Sequence, residues 1–276
     1  MAAHLLKHIR SDILLITPAA LFVLAFFALP MAQLVLVGAS GDSGWLAYTS
    51  VLTNPRHREV MIATLLLSLA VTLTTLILAT AAALFLGRSR FPGRSILIAM
   101  LTFPLAFPGV VVGFMVIILA GRQGLIGKVT DAAGMDKLVF AYSMGGLFLG
   151  YLYFSLPRVL LTVMSAVETI DPSLGEAARS LGAKPHHLLR DVMLPALRPA
   201  MIAAGAIAFA TSMGAFGTAF TLATDIDVLP MLIYTEFTLQ ANFAAAGALS
   251  IILGIVTWVA LFIARQLGGD GVAAAG

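Results

Sequence analysis

Cysteine is absent from this 276-residue chain, which excludes a disulfide framework and a thiolate metal site. Charge is scarce as well. Charged residues make up 11% of the chain and hydrophobic residues 60%, against about 25% and 45–50% in ordinary soluble domains. The net charge of +3 is too small to point to nucleic acid. No G-x-x-x-x-G-K-[ST] stretch occurs, so the chain carries no P-loop for a nucleotide. The five histidines (His4, His8, His57, His186 and His187) form no metal constellation. Only His4 and His8 stand four apart, in an exposed N-terminal stretch, and His186 and His187 belong to a solvated loop. Paired intramembrane carboxylates, a Ser/His arrangement and H-E-x-x-H are missing too, which argues against a membrane-embedded enzyme. Few ionisable residues interrupt the apolar runs and no internal repeat is evident, which argues against an ion-coupled secondary transporter.

What the sequence has instead is apolar length. About 20 mostly apolar residues cross a bilayer, and six stretches qualify, at 13–38, 60–86, 95–120, 138–163, 199–222 and 244–266. The expected fold class is an all-α polytopic membrane protein, a single domain over 1–276. The first run, about 13–37, is longer than the 7–15 residues of a cleavable signal core, and reads as a retained helix. Pro104, Pro108 and Pro157 interrupt the third and fourth spans; such breaks are tolerated where neighbours or a cavity satisfy the backbone. Gly205, Gly214 and Gly217 make the fifth span suited to close packing, or to leaving room for passage.

Lys and Arg collect on the cytoplasmic side of membrane proteins. With both termini inside, eleven basic residues lie inside and five outside. The inner surface is then +5 and the outer −2. The short loop from Gly87 to Arg94, G-R-S-R-F-P-G-R, is the strongest inner marker and suits an anionic leaflet.

One long inner loop remains, 164–198. Asp171 is a good N-cap and Pro172 fits the first helical position. Gly182 suits a left-handed helix end, Pro185 restarts a second helix, and Pro195 and Pro199 are expected to break it before the fifth span. Two short helices at the membrane surface would let a soluble motor push on the membrane part. Ala177, Ala178 and Gly182 permit close seating, Glu176 and Arg179 offer charge to fix orientation, and the motion passes on as rigid-body movement.

The run E-A-A-R-S-L-G-A from Glu176, followed by Leu194 and Pro195, resembles the EAA loop of binding-protein-dependent ABC importers. The spacing from E-A-A to Gly182 and on to Leu-Pro matches, on the inner side and between the fourth and fifth spans. The resemblance extends over nearly the whole chain. It implies the type I importer permease fold, with a five-helix core and a peripheral first helix in the bacterial inner membrane. It also implies partners: a second permease, usually a distinct chain, two ATPase subunits that hold ATP and Mg, and an extracytoplasmic solute-binding protein. The chain itself would bind no cofactor and would be no enzyme alone. Glu176, Ala177, Ala178, Arg179, Gly182, Leu194 and Pro195 are the implied ATPase-coupling residues.

The stretches 52–69, 155–183 and 213–237 look similar to permeases for polyamines, with iron and aminoethylphosphonate systems beside them. The cargo expected from this is a polyamine, with phosphonate, iron or another small solute as alternatives. In this fold the pathway runs along the third to sixth spans. Candidate lining residues are Phe107, Met144, Tyr151, Ser212, Met213, Phe216, Thr218, Tyr234 and Glu236. Glu236 is the sharpest, because acids at membrane depth are costly. Inside the membrane it would meet a cation; in an outer re-entrant segment it would touch the binding protein. Asp225 and Asp227 belong to a tight outer loop.

Overall fold

A computed structural model gives the architecture and describes residues 16–42, 44–222 and 227–268. Lys7, Arg10, His4, His8 and Asp225 lie outside the described residues. Among the described residues every regular element is helical, and six helices are long and apolar enough to cross a membrane. The chain divides into two compact units.

The first unit takes 1–54 and 233–252. Its main helix, α1 (Ile16–Gly38), is apolar and exposed nearly all round, the surface that lipid solvates. Within α1 the segment Leu24–Ala28 is a π turn, closed by the Leu29 N–H donating to the Leu24 carbonyl. Pro30 follows at once. A proline clashes with the carbonyl four residues back, and a wider turn moves that carbonyl aside. At its end, Gly38 comes against Tyr48 and the Ala248 amide: a Cβ there would fall 2.4 Å from the Tyr48 hydroxyl oxygen. Tyr48 Oη donates to the Val35 carbonyl at 2.8 Å.

The second unit takes 55–232 and 253–276. It contains α2 (Pro55–Arg88), α3 (Arg94–Thr102), α4 (Gly109–Ala120), α5 (Leu125–Ala132), α6 (Met144–Thr169), α7 (Pro172–Ser180), α8 (Pro185–Met213) and α9 (Gly217–Leu222). Helix α10 (Leu229–Tyr234) and the last helix, α11 (Phe243–Gly268), contribute residues to both units. Two cores hold the second unit. Leu67, Val71, Val116, Leu147 and Leu222 form one. Ala79, Ala83, Val159, Leu160, Leu197 and Ala204 form the other, where α2, α6 and α8 meet. In lipid such packing relies on close approach of small residues. A Cβ on Gly113 would strike Thr221 at 2.6 Å, and one on Gly217 would crowd the Val110 amide at 3.1 Å. Helices α4 and α9 therefore touch backbone to backbone, and Thr218 Oγ1 donates to the Gly109 carbonyl across them at 2.9 Å.

Four expected segments differ from the structure, among them the span 199–222, which stops at Met213 and resumes as α9 at Gly217. The span 95–120 is two pieces: α3 runs into a 3₁₀ turn at Phe103–Ala106, Phe107 is extended, and α4 starts anew at Gly109. Phe107 precedes Pro108, and a residue before proline is pushed out of the helical region. The span 138–163 starts later, at Met144, because the Phe140 and Ala141 amides are spent on the Ala120 carbonyl. The expected break at Pro195 and Pro199 is absent: one helix runs from Pro185 to Met213 through both. A π turn at Leu188–Met193 absorbs Pro195, with the Leu194 N–H reaching back to the Leu189 carbonyl. This is the arrangement already seen before Pro30.

Candidate functional site

The loop between α6 and α8 is built as its residues dictate. Asp171 Oδ1 accepts from the Ser173 amide at 2.8 Å and Pro172 opens α7. That bond holds the Asp171 carboxyl below the usual carboxylate range. The other end is a Schellman closure: the Ala183 N–H donates to the Ala178 carbonyl and the Gly182 N–H to the Arg179 carbonyl. It requires φ of +79° at Gly182, with open space around the Cα. Glu176, Ala177 and Arg179 are exposed and Ala178 is half-buried. Leu181 is 88% exposed and Leu174 51%, an apolar surface on a helix with little core of its own.

Helix α7 abuts the 87–94 loop. Arg94 Nε donates to the Leu86 carbonyl at 2.7 Å, and its terminal nitrogen meets Glu168 at 2.8 Å. Gly175 is buried under Arg88, whose guanidinium would lie 3.6 Å from a Cβ placed there. Glu176 and Arg179 thus share one cleft with the loop arginines. Leu194 and Pro195 belong elsewhere, in a groove between α2 and α8 that Arg190 and Arg198 also line.

A further cavity of about 380 Å³, open to the surroundings, lies between α4, α6, α8 and α9, with Arg158 exposed at it. Tyr151, Ser155, Arg158, Thr211, Ser212 and Thr218 line it. Tyr151 is buried and donates its hydroxyl to the Ala215 carbonyl. Ser155, Ser212 and Thr218 are buried as well, and Ser212 Oγ has no hydrogen-bond partner. The Arg158 guanidinium lies over the Phe154 ring at 4.8 Å, and no carboxylate pairs with it among the described residues.

Of the expected pathway residues, the structure brings Tyr151, Ser212 and Thr218 together around this cavity. Met213 is fully buried in packing. Phe107 stacks edge-on against Phe103, Phe216 stacks on Phe220, and Met144 opens α6, all apart from the cavity. Tyr234 and Glu236 belong to the first unit. There Glu236 is buried, accepts from the Asn242 amide nitrogen at 3.0 Å, and closes the turn after the π segment Thr235–Leu239. Asp227 lies beside Arg56 at 3.4 Å.

Sequence reasoning missed Arg158 by counting it among inner-surface charges. It is in the middle of α6, about three turns (~16 Å) before Thr169. The signal was available: Ser155 and Arg158 are three apart, hence on one helix face, inside a recognised span.

Within the second unit, apolar helices of membrane-crossing length around a polar cavity, with an exposed, doubly capped helix, suit a membrane transport component. The chain belongs to the family of binding-protein-dependent transport system inner membrane components, whose sequence profile matches residues 79–268. It is a multi-pass inner-membrane permease of the ABC importer kind. The sulfate transport system permease protein CysT of Salmonella typhimurium is 31% identical over 90% of this chain and 88% of its own length. The molybdenum transport system permease protein ModB of Escherichia coli is 32% identical over 79% and 95%. A putative 2-aminoethylphosphonate permease, PhnU of Salmonella choleraesuis, is 28% identical over 94% and 93%. A bacterial alginate ABC transporter, crystallised with an alginate-bound periplasmic protein, has the same fold, type I, at a TM-score of 0.79 and 19% identity over 94% of this chain and 95% of its own.

Proposed function

We propose that this chain forms half of the translocation pathway of an ATP-driven importer for a small oxyanion. The observation that carries this is Arg158, without a carboxylate partner among the described residues, lining a cavity with the hydroxyls of Ser155 and Ser212. A mid-helix cation turned to lipid is expensive, so such a group faces protein or a watered path. Planar guanidinium and hydroxyl donors suit the oxygens of a tetrahedral anion. Relatives named for sulfate, molybdenum and 2-aminoethylphosphonate support this cargo class. A polyamine, the cargo first expected, would be repelled there.

Transport would proceed by delivery from an extracytoplasmic binding protein to a pathway shared with a second permease. Two separate ATPase subunits, carrying ATP and Mg, would grip α7. Glu176, Ala177, Ala178 and Arg179 present the surface, Gly182 sets its end, and Leu194 and Pro195 carry motion into α8. The excess of Lys and Arg on the α7 side supports a cytoplasmic position for that side and for both termini.

The test is uptake of radiolabelled sulfate, molybdate and aminoethylphosphonate by cells holding the complete transporter, with spermidine as competitor. We expect one oxyanion to be imported, spermidine to be without effect, and Arg158→Gln to cut uptake about tenfold, the factor for roughly 1.4 kcal/mol. Arg158→Lys should retain part of the activity. Spermidine import, unchanged by Arg158→Gln, would overturn the oxyanion reading.

A further inference from the structure

The cleft beside α7 holds more positive charge than seating a helix requires. Four guanidinium groups, from Arg88, Arg90, Arg94 and Arg179, face the carboxylates of Glu168 and Glu176 across a volume of about 590 Å³. Arg94 is engaged with Glu168 and with the Leu86 carbonyl. Three arginines then face one carboxylate, and Arg88, Arg90 and Arg179 make no hydrogen bond or ion pair among the described residues. These three are exposed, so water screens part of their mutual repulsion, and an anion between them would relieve the rest.

The position of the cleft indicates the source of that anion. It is walled by the ends of α2 and α6 and the start of α3, the level at which apolar helices emerge from the hydrocarbon. Phe91, within the loop itself, is exposed and lies against exposed Phe85 at 5.9 Å. Aromatic rings turned outward beside arginines mark a segment lying in the headgroup layer.

We infer that this cleft binds a phosphate-class anion, and that the anion ties the 87–94 loop to α7. The inference rests on the importer reading above, which puts the cleft at the cytoplasmic leaflet. That leaflet is rich in anionic phospholipid, and basic pockets between helix ends accept its headgroups. Arg88 already spans from the loop to Gly175 of α7. A phosphate between Arg88, Arg90 and Arg179 would stiffen the seat on which the ATPase pushes, and so make coupling sensitive to the headgroup.

The experiment uses the complete transporter in nanodiscs of phosphatidylcholine alone or with phosphatidylglycerol. It reads ATP turnover stimulated by the loaded binding protein, and lipid retention by native mass spectrometry. Stimulated turnover in either lipid establishes the importer reading separately. With phosphatidylglycerol we expect turnover to rise roughly fivefold, the factor for one surface arginine–lipid charge contact, and the anionic lipid to be retained. The double variant Arg88→Gln, Arg90→Gln should lose both effects. Arg88→Lys, Arg90→Lys should recover part of them, and Arg265→Gln, on α11 away from the cleft, should lose neither. If inorganic phosphate added to phosphatidylcholine discs reproduces the rise, and the double Gln variant abolishes it, the anion is soluble and the site stands. If wild type and double Gln variant respond alike to both additions, the inference is overturned. It is also overturned if the double Gln variant no longer holds its ATPase subunits in phosphatidylcholine, since the cleft is then a protein contact.

Discussion

Ser212 shows how a single atom separates folding from function. Its hydroxyl is buried, lines the cavity and has no partner. An unpaired buried polar group costs about 1–3 kcal/mol; Ser68, Thr75 and Thr80 are equally unpartnered, and what sets Ser212 apart is that it lines the cavity. We expect Ser212→Ala to leave thermal stability equal or higher and to slow oxyanion uptake, with melting of the purified transporter measured beside cellular import. Lower stability with unchanged uptake would assign the hydroxyl to packing. Thr72 is the contrast: it spends its hydroxyl on the Ser68 carbonyl of its own helix at 2.7 Å, as membrane-helix threonines often do. Glu236 also has a local partner. The sequence marked it as an expensive acid, and the structure uses it to hold Asn242 in a turn. A lone acid in an apolar stretch looks identical in sequence whether it serves a ligand or a loop.

At the scale of the element, α7 was legible in the sequence nearly to the atom. Asp171, Pro172 and Gly182 act through local backbone rules, and each appears where those rules put it. The π turn at Leu188–Met193 was not legible. Proline ordinarily marks a stop, and whether a wider turn rescues the helix is decided by packing around α8, which leaves no local signature. The 107–108 break falls between these cases, since Pro108 fixed the site but not the split. For α7 we expect Gly182→Asp and Glu176→Lys each to abolish transport while membrane insertion persists. Forcing a side chain into φ of +79° costs roughly 1–2 kcal/mol, enough to misplace the exposed Leu181 but not to unfold a helical bundle. Normal uptake in either variant, read beside membrane-fraction immunoblots, would remove α7 from the coupling path.

At the scale of the whole molecule, the chain, read as proposed, would supply a pathway and a coupling helix and leave ATP hydrolysis to separate subunits. The described residues hold no cluster of His, Asp and Glu able to bind a metal, and the sequence holds no P-loop. We expect the purified chain to hydrolyse no ATP until its ATPase subunits are added, measured by phosphate release; hydrolysis by the single chain would refute this. Family and fold could be read from composition and one loop because hydropathy and backbone punctuation act locally. The cavity could not, because Arg158, Ser155 and Ser212 converge only after α6 and α8 pack. The π turn in α8 has one more consequence. A wider turn inserts one residue into a helix whose side chains otherwise advance about 100° each. It therefore sets the azimuth of everything beyond it, like the offset of a crank on its shaft. In α8 the six residues Leu188–Met193 thus fix the phase between the start of the helix, which lies beside α7, and the cavity-lining Thr211 and Ser212.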